Sequence, residues 1–206
     1  LERYNPAVVA LADIIHKPLF IESHRLSIFK SRATDVSVVL DLMIHDIDII
    51  FNFVQSKLET IHASGIPVIT ENVDIANARL EFESGCVANV TASRVSLADS
   101  RRMRLFQKDK SLEVDFGRRQ IEVLPLLRQD GSERHRSGEV RQRRFDQSDA
   151  LMAELTAFVR SVRLQEPPKV SASEGRRALA VALEVMARAA ATKHTAPCTK
   201  SPCTSA

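Results

Sequence analysis

The chain has 206 residues, of which 44% are hydrophobic and 27% charged, and its formal net charge at pH 7 is +3. These values are typical of a globular protein that buries a sizeable core within one domain. No apolar run approaches the roughly 20 residues of a membrane helix, and no cleavable signal pattern is visible at the start. We therefore expect a cytoplasmic protein without a membrane partner.

The cysteines favour the same compartment. Cys86 lies in a strand-like segment and is expected to be a small buried residue. Cys198 and Cys203 lie in a tail rich in Thr, Ser, Pro and Lys, outside any metal-ligand motif. Thiols in such positions indicate a reducing environment.

The first predicted element is a short helix that has Asn5 as its N-cap and ends near Ile15. A strand is predicted over residues 19–28. A long helix then follows over residues 36–54, with Asp35 as a plausible N-cap.

The middle of the chain is dominated by strand patterns. Six are predicted, over residues 58–67, 73–82, 87–95, 103–107, 112–116 and 120–124. The second shows the alternation of a half-buried antiparallel strand, because polar or charged neighbours separate Ala76, Ala78, Leu80 and Phe82. A polar loop is expected over residues 129–138.

Helices return near the end of the chain. One is predicted to start at Ser148 or Asp149 and to end before Pro167. Another follows the capping-box pattern of Ser171 and Glu174 and runs to about residue 192.

A consecutive block of strands flanked by helices predicts an α+β domain rather than a doubly wound one. We expect a mostly antiparallel open sheet with helices on one face. The domain is predicted over residues 1–191, followed by a disordered tail over residues 192–206.

The long helix carries the most informative motif. Its run from Val38 to Ile50 is strongly apolar, yet it contains one histidine and three aspartates. Asp41 and His45 are four residues apart and Asp48 follows three later, so a regular helix places them on one face. A histidine oriented by a carboxylate one turn away suits proton transfer with a substrate hydroxyl.

Two other interpretations of this motif remain open. A histidine–aspartate pair on a helix is often only a satisfied polar contact, although simple core packing disfavours so many acids. The adjacent His45 and Asp46 also suggest a metal site. Further ligands are available in His16, His24 and His62, but none stands at a recognisable ligand spacing. We therefore expect no metal.

Three segments resemble the Gfo/Idh/MocA oxidoreductases, the family of glucose-fructose oxidoreductase and inositol dehydrogenase. The first resembles the segment after that family's dinucleotide-binding domain, the second its active-site helix and the third the start of its late helix. They are Leu1-Glu2-Arg3-Tyr4-Asn5-Pro6-Ala7-Val8, Asp41-x-x-x-His45-Asp46-x-Asp48, and Ser171-Ala172-Ser173-Glu174-Gly175-Arg176-Arg177-Ala178-Leu179. The resemblance extends to about residue 190.

This resemblance implies a dehydrogenase that transfers hydride between a sugar, nucleotide sugar or polyol and NAD or NADP. His45 is then the acid/base and Asp41 its support. The open face of the sheet is then a homo-oligomer contact. The resemblance also implies a substrate pocket lined by Asn5, His24, Arg25 and Asp48.

The family's cofactor-binding features have no counterpart in the sequence. None of the six glycines forms a G-x-G pattern. The family's Glu-Lys-Pro motif is also absent, since His16-Lys17-Pro18 lies in the wrong segment. We interpret the chain as the C-terminal part of a longer enzyme, which alone is inactive and binds no nicotinamide cofactor tightly. The alternatives are a stand-alone binding or oligomerisation module, or a metal-dependent hydrolase using His45 and Asp46.

Arginine clusters in the middle of the chain suggest a phosphate ligand. Nucleic acid is not expected, because acids are interleaved with the arginines and no nucleic-acid-reading motif accompanies them. A narrower hypothesis is that Arg25 or Arg94 contacts the diphosphate of a nucleotide sugar. The clusters are Arg101-Arg102-x-Arg104, Arg118-Arg119, Arg134-x-Arg136 and Arg141-x-Arg143-Arg144.

Overall fold

The computed structural model describes residues 1–31, 35–126, 139–146 and 149–192. Three predicted features fall outside these ranges: the polar loop over residues 129–138, Ser148, and the tail with Cys198 and Cys203, of which only residue 192 is described.

One sheet organises the described part of the chain. Its eight strands are β1 (Phe20–Leu26), β2 (Leu58–Ile66), β3 (Ile75–Phe82), β4 (Val87–Ser93), β5 (Ser100–Phe106), β6 (Lys110–Asp115), β7 (Gln120–Pro125) and β8 (Arg141–Arg144). Their order is β2-β3-β4-β1-β5-β6-β7-β8. Strands β1 and β4 are parallel, whereas the other neighbouring pairs are antiparallel. The predicted mostly antiparallel open sheet is confirmed.

The described α-helices are α1 (Pro6–Leu11), α2 (Ile44–Phe53), α3 (Ala150–Leu164) and α4 (Ala172–Ala190). Helices α1, α2 and α4 contribute to the core on one face of the sheet, whereas α3 contacts the 3₁₀ turn formed by Glu2–Tyr4. The alternating side chains of β3 that the sequence predicts to be buried form one core with residues of α2 and α4. Helix α4 crosses β2 at Gly65, where an added Cβ would lie 2.9 Å from the Cβ of Ala189. A glycine therefore permits this close packing.

The predicted caps at three helix starts are present. The side chain of Asn5 accepts a hydrogen bond from the N–H of Ala7 at 3.0 Å, although α1 ends at Leu11 rather than near Ile15. Asp149 caps α3. Ser171 and Glu174 form the complete capping box of α4.

The start of the long helix differs from the prediction. Asp35 is not its cap; the hydroxyl of Ser37 instead accepts a hydrogen bond from the N–H of Val39 at 3.3 Å. Residues Val39–Met43 form a π-helical turn that continues directly into α2, and the N–H of Ile44 donates to the carbonyl of Val39. A π-helical turn is wider than an α-helical one, so the predicted stacking of side chains four residues apart is altered there.

Two features of the sheet and helices lie outside the predicted pattern. Strand β8 is fully exposed, and its arginine-rich sequence lacks the apolar alternation of a half-buried strand. Helix α3 buries none of its residues. Its exposed apolar side chains are Leu151, Met152, Leu155, Phe158, Val159, Val162 and Leu164.

Within the described ranges, no helix combines the length and apolar character needed to cross a bilayer. The cytoplasmic location remains a prediction.

Candidate functional site

A cavity of about 250 Å³ opens where the parallel strands β1 and β4 end and β5 begins. The first turns of the long helix and the N-terminal segment complete its wall. Charged side chains from five segments therefore converge on a small volume. Its polar and charged lining residues are Glu2, Arg25, Ser27, Lys30, Asp41, His45, Arg94, Asp99 and Arg101.

His45 enters this cavity from the first turn of α2, with its side chain half-buried. Burial lowers its pKa below the ordinary value of 6.5, and the nearby charge of Arg25 lowers the pKa further. Glu2 and Asp46 act in the opposite direction but do not reverse the shift. The imidazole is therefore mainly neutral at pH 7 and able to accept a proton.

Beside His45 lies a buried ion pair between β1 and α2. The Nε of Arg25 donates to both carboxylate oxygens of Asp46 at 3.1 Å, and its Nη2 donates to one of them at 2.8 Å. Their side chains are only 3% and 1% exposed. Burial alone would lower the pKa of Arg25, but Asp46 raises the pKa above its ordinary value. This pair explains why an aspartate occurs within the apolar run.

The third member of this charge cluster is Glu2. The Nη1 of Arg25 donates to Glu2 Oε1 at 2.8 Å, and Arg101 Nη1 lies 4.0 Å from the same oxygen. Arg25 and Arg101 are direct cross-strand neighbours on β1 and β5. Burial alone would raise the pKa of Glu2, but Arg25 lowers it, so the carboxylate remains ionised at pH 7.

A second arginine, Arg3, holds the N-terminal segment against α2 and α4. Its Nε and Nη2 donate to the two oxygens of Asp48 at 2.8 and 2.5 Å, and its Nη1 donates to Glu174 at 2.7 Å. Hydrogen bonds from the backbone N–H of Ser171 and from Arg3 lower the pKa of Glu174 to about 2. Asp48 is therefore engaged in a structural pair outside the cavity.

The far side of the cavity is tied to the start of the long helix. Arg94 donates to the carbonyl of Val36, and its Nε lies 3.9 Å from buried Asp74. Burial alone would raise the pKa of Asp74. The N–H groups of residues 68–70 and the hydroxyl of Thr70 donate hydrogen bonds to its carboxylate, and these bonds lower the pKa to about 2. An ionised Asp74 thus fixes the loop that precedes β3.

Of the six site residues predicted from the sequence, the structure brings Asp41, His45 and Arg25 together in the cavity. Among the described residues, no hydrogen bond joins Asp41 to His45. Asp41 lies in the π-helical turn, so the two side chains do not have the spacing of a regular α-helix. The predicted role of Asp41 as a support for the imidazole stays a prediction.

The other three predicted residues lie elsewhere. Asn5 caps α1 and donates its amide to the carbonyl of Phe116 at 3.2 Å. Asp48 pairs with Arg3. His24 is exposed on the open face of the sheet, because adjacent residues of a strand point to opposite faces and Arg25 points to the helices. His24 therefore does not line this cavity, and its predicted part in a substrate pocket stays a prediction.

Glu2 and Arg101 lie in the cavity but are not among the predicted site residues. Arg101 belongs to one of the arginine clusters of the sequence and Glu2 to its first segment, but neither pattern singles out the residue, because its partners in the cavity are far away along the chain. That Arg101 lies next to Arg25 can be seen only once the register of β1 and β5 is known.

The donor set does not favour a metal at His45 and Asp46. Both oxygens of Asp46 already accept hydrogen bonds from Arg25. In the described ranges, no group of three or more His, Cys, Asp and Glu side chains is arranged to hold a metal ion.

Comparisons with known proteins agree with this architecture. The family model of the GFO/IDH/MocA C-terminal domain matches residues 16–113. UDP-N-acetylglucosamine 3-dehydrogenase from Acidithiobacillus ferrooxidans is 34% identical over 188 residues, which cover 90% of this chain and 59% of that protein. Myo-inositol 2-dehydrogenase from Thermotoga maritima is 28% identical over 149 residues, covering 69% of this chain and 43% of that protein.

Solved structures show the same relationship. A structure of the Acidithiobacillus ferrooxidans enzyme superposes with a TM-score of 0.81 at 31% identity, covering 91% of this chain and 58% of that one. Levoglucosan dehydrogenase in complex with NADH and L-sorbose has a TM-score of 0.74 at 14% identity, covering 92% and 62%. The second likeness shows the fold alone.

The fold and these matches define an open-sheet α+β domain. The chain belongs to the Gfo/Idh/MocA family and matches its C-terminal domain, which confirms the resemblance seen in the sequence. It spans 59% and 43% of the lengths of the two relatives named above.

Replacing Asp46 with Asn should lower the free energy of unfolding by about 3 kcal/mol, because Arg25 loses its principal countercharge in a buried position. Urea unfolding followed by circular dichroism measures this loss. Asp109→Asn is the control, since its side chain is 67% exposed and should change stability by less than about 0.5 kcal/mol. Equal stabilities of the two variants would contradict the assigned importance of the pair.

Proposed function

We propose that this chain is the substrate-binding C-terminal part of an NAD(P)-dependent dehydrogenase acting on a sugar, nucleotide sugar or polyol. The observation that carries the proposal is the neutral, half-buried imidazole of His45 in a cavity lined by hydroxyl-binding groups. Support comes from the relatives, whose names describe a UDP-N-acetylglucosamine and a myo-inositol dehydrogenase.

In the proposed oxidation, the substrate carbon loses hydride while its hydroxyl proton passes to His45, leaving a carbonyl and an imidazolium. A nicotinamide bound by the complete enzyme supplies the hydride acceptor. The reverse reaction returns the same proton from His45 to the new hydroxyl. The lowered pKa of His45 keeps its base form available at neutral pH.

Asp41 faces the same cavity and is exposed, with no hydrogen bond from another described side chain. We infer that its carboxylate accepts a hydrogen bond from a neighbouring substrate hydroxyl. It thereby orients the reacting carbon relative to His45. This role replaces a direct contact between Asp41 and the imidazole.

A nucleotide sugar fits the charge around the cavity better than a free polyol does. The enclosed volume, about 250 Å³, is slightly below the usual range for ligand pockets, so a sugar ring fills it and the rest of the ligand extends outward. Arg101 and Lys30 are 56% and 55% exposed along its lining, where a diphosphate can reach them. Arg25 is less suited, because Asp46 and Glu2 already occupy its guanidinium.

We also propose that the open face of the sheet joins two copies of the chain. Cross-strand neighbours on this face alternate in charge: Arg104 lies 3.1 Å from Glu22, and Arg102 lies 3.4 Å from Asp115. A face with both charges in rows is self-complementary under two-fold rotation. A stand-alone oligomerisation module would use the same face. Dehydrogenase activity of the complete protein therefore distinguishes the proposed enzyme from such a module.

Replacing His45 with Ala in the complete enzyme should lower kcat by about 10²–10⁴-fold, because the base is lost, while cofactor affinity stays unchanged. Steady-state kinetics and cofactor fluorescence titration measure the two quantities. His24→Ala is the matched control and should retain full turnover, since His24 lies on the opposite face. Unchanged kcat in His45→Ala would refute the assignment. Stoichiometric metal bound to the protein, together with loss of activity on adding a chelator, would favour the alternative of a metal-dependent hydrolase.

Replacing Arg101 with Met should lower the ratio of kcat/KM for a UDP-sugar to that for the free sugar by about tenfold, the value of one charge-assisted hydrogen bond. The complete enzyme is assayed with both substrates at several salt concentrations. Arg118→Met is the control, because Arg118 is 68% exposed and does not line the cavity. An unchanged ratio would exclude Arg101 as a phosphate contact.

Arg104→Glu should weaken self-association, because it joins the neighbouring Glu22 and Glu113 of the same sheet into a purely acidic patch and removes the positive charge that the second copy would pair with. Sedimentation velocity of the complete protein measures the fraction of dimer, which should also fall as salt is raised. Arg176→Glu, at an exposed position of α4 on the opposite face, should leave the dimer intact. Equal dimer fractions for both variants would place the interface elsewhere.

A further inference from the structure

Glu2 occupies an unusual electrostatic position. Its side chain is only 13% exposed and lies between Arg25, at 2.8 Å, and Arg101, at 4.0 Å. These two arginines are cross-strand neighbours, an arrangement in which like charges repel. A carboxylate between them removes most of that repulsion.

The position of Glu2 is set by a rigid local structure. Residues Glu2–Tyr4 form a 3₁₀ turn, and the carbonyl of Glu2 accepts a hydrogen bond from the N–H of Asn5 at 3.0 Å. Arg3, the next residue, is buried and fastened to α2 through Asp48. The turn therefore delivers Glu2 into the cavity at a fixed distance from α2.

His45 is surrounded mainly by positive charge from the other elements. Burial and the charge of Arg25, which approaches from β1, lower the pKa of His45, whereas Glu2 and Asp46 raise it. Asp46 is itself bound by Arg25. The charged groups that face the cavity around His45 are the chain's first amino group, Glu2, Arg25, Lys30, Asp41, Asp46, Arg94, Asp99 and Arg101.

We propose that Glu2 is a positioning residue for His45: it orients Arg25 and supplies the negative charge that lets an imidazolium form beside two arginines. This inference rests on the proposed role of His45 as the acid/base. When His45 accepts the substrate proton, a cation appears next to Arg25 in a partly buried cavity. Without Glu2 this cation is opposed by Arg25 and Arg101, and His45 becomes a weaker base.

The test replaces Glu2 with Gln in the complete enzyme, with Glu2→Asp as the conservative variant and Glu83→Gln as the control. Glu83 lies in an exposed turn and does not line the cavity. The pKa of His45 is measured by NMR titration of imidazole carbons labelled with ¹³C, and the His45→Gln spectrum assigns its signal among the six histidines. The acid limb of the pH profile of kcat/KM is measured on the same samples.

We expect Glu2→Gln to move the NMR midpoint and the acid limb together to lower pH. It should also lower the plateau of kcat/KM by about tenfold, less than the loss of the base itself. Glu2→Asp should restore part of both, and Glu83→Gln should change neither. A folded Glu2→Gln variant with unchanged midpoints would overturn the role of Glu2. A shifted NMR midpoint with an unshifted acid limb would instead overturn His45 as the base, and with it this inference.

Discussion

The buried pair of Arg25 and Asp46 is the interaction on which the site depends. It joins β1 to α2 through three hydrogen bonds where both side chains are almost fully excluded from water. A bidentate pair fixes both distance and rotation, so it sets which face of α2 meets the sheet. His45 precedes Asp46 by one residue and is therefore turned toward the cavity beside β1. The position of His45 in the cavity therefore follows from a structural ion pair.

The three aspartates of the apolar run have different surroundings in the structure. Asp46 binds Arg25 on the sheet side, and Asp48 binds Arg3 of the N-terminal segment. Because they are two positions apart on the helix, with Ile47 between them, their side chains leave the axis in different directions and hold the helix from both sides. Asp41, in the π-helical turn, remains exposed to the cavity. Asp46 and Asp48 therefore locate the helix, whereas the carboxylate of Asp41 lines the cavity.

Features specified by local periodicity could be predicted from the sequence, including the antiparallel sheet, the capping box at Ser171 and His45 as a cavity residue. Features that depend on distant partners could not. The π-helical turn displaced Asp41 from its expected stacking on His45, and no local pattern marks such a turn. Strand β8 lacks apolar alternation. Glu2 gains its role only when Arg25 and Arg101, far apart in sequence, become neighbours across two strands.

The cluster of Glu2, Arg25, Asp46 and Arg101 also constrains how this domain can evolve. The largely buried charges of Glu2, Arg25 and Asp46 are tolerated because they compensate one another, so losing one leaves an uncompensated charge that penalises the fold, and the exposed Arg101 adds a second cation beside Glu2. A substitution at one of these positions therefore becomes acceptable mainly after a compensating change at another. Descendants of this domain should inherit the cluster intact or exchange it as a unit, which makes these widely separated positions covary.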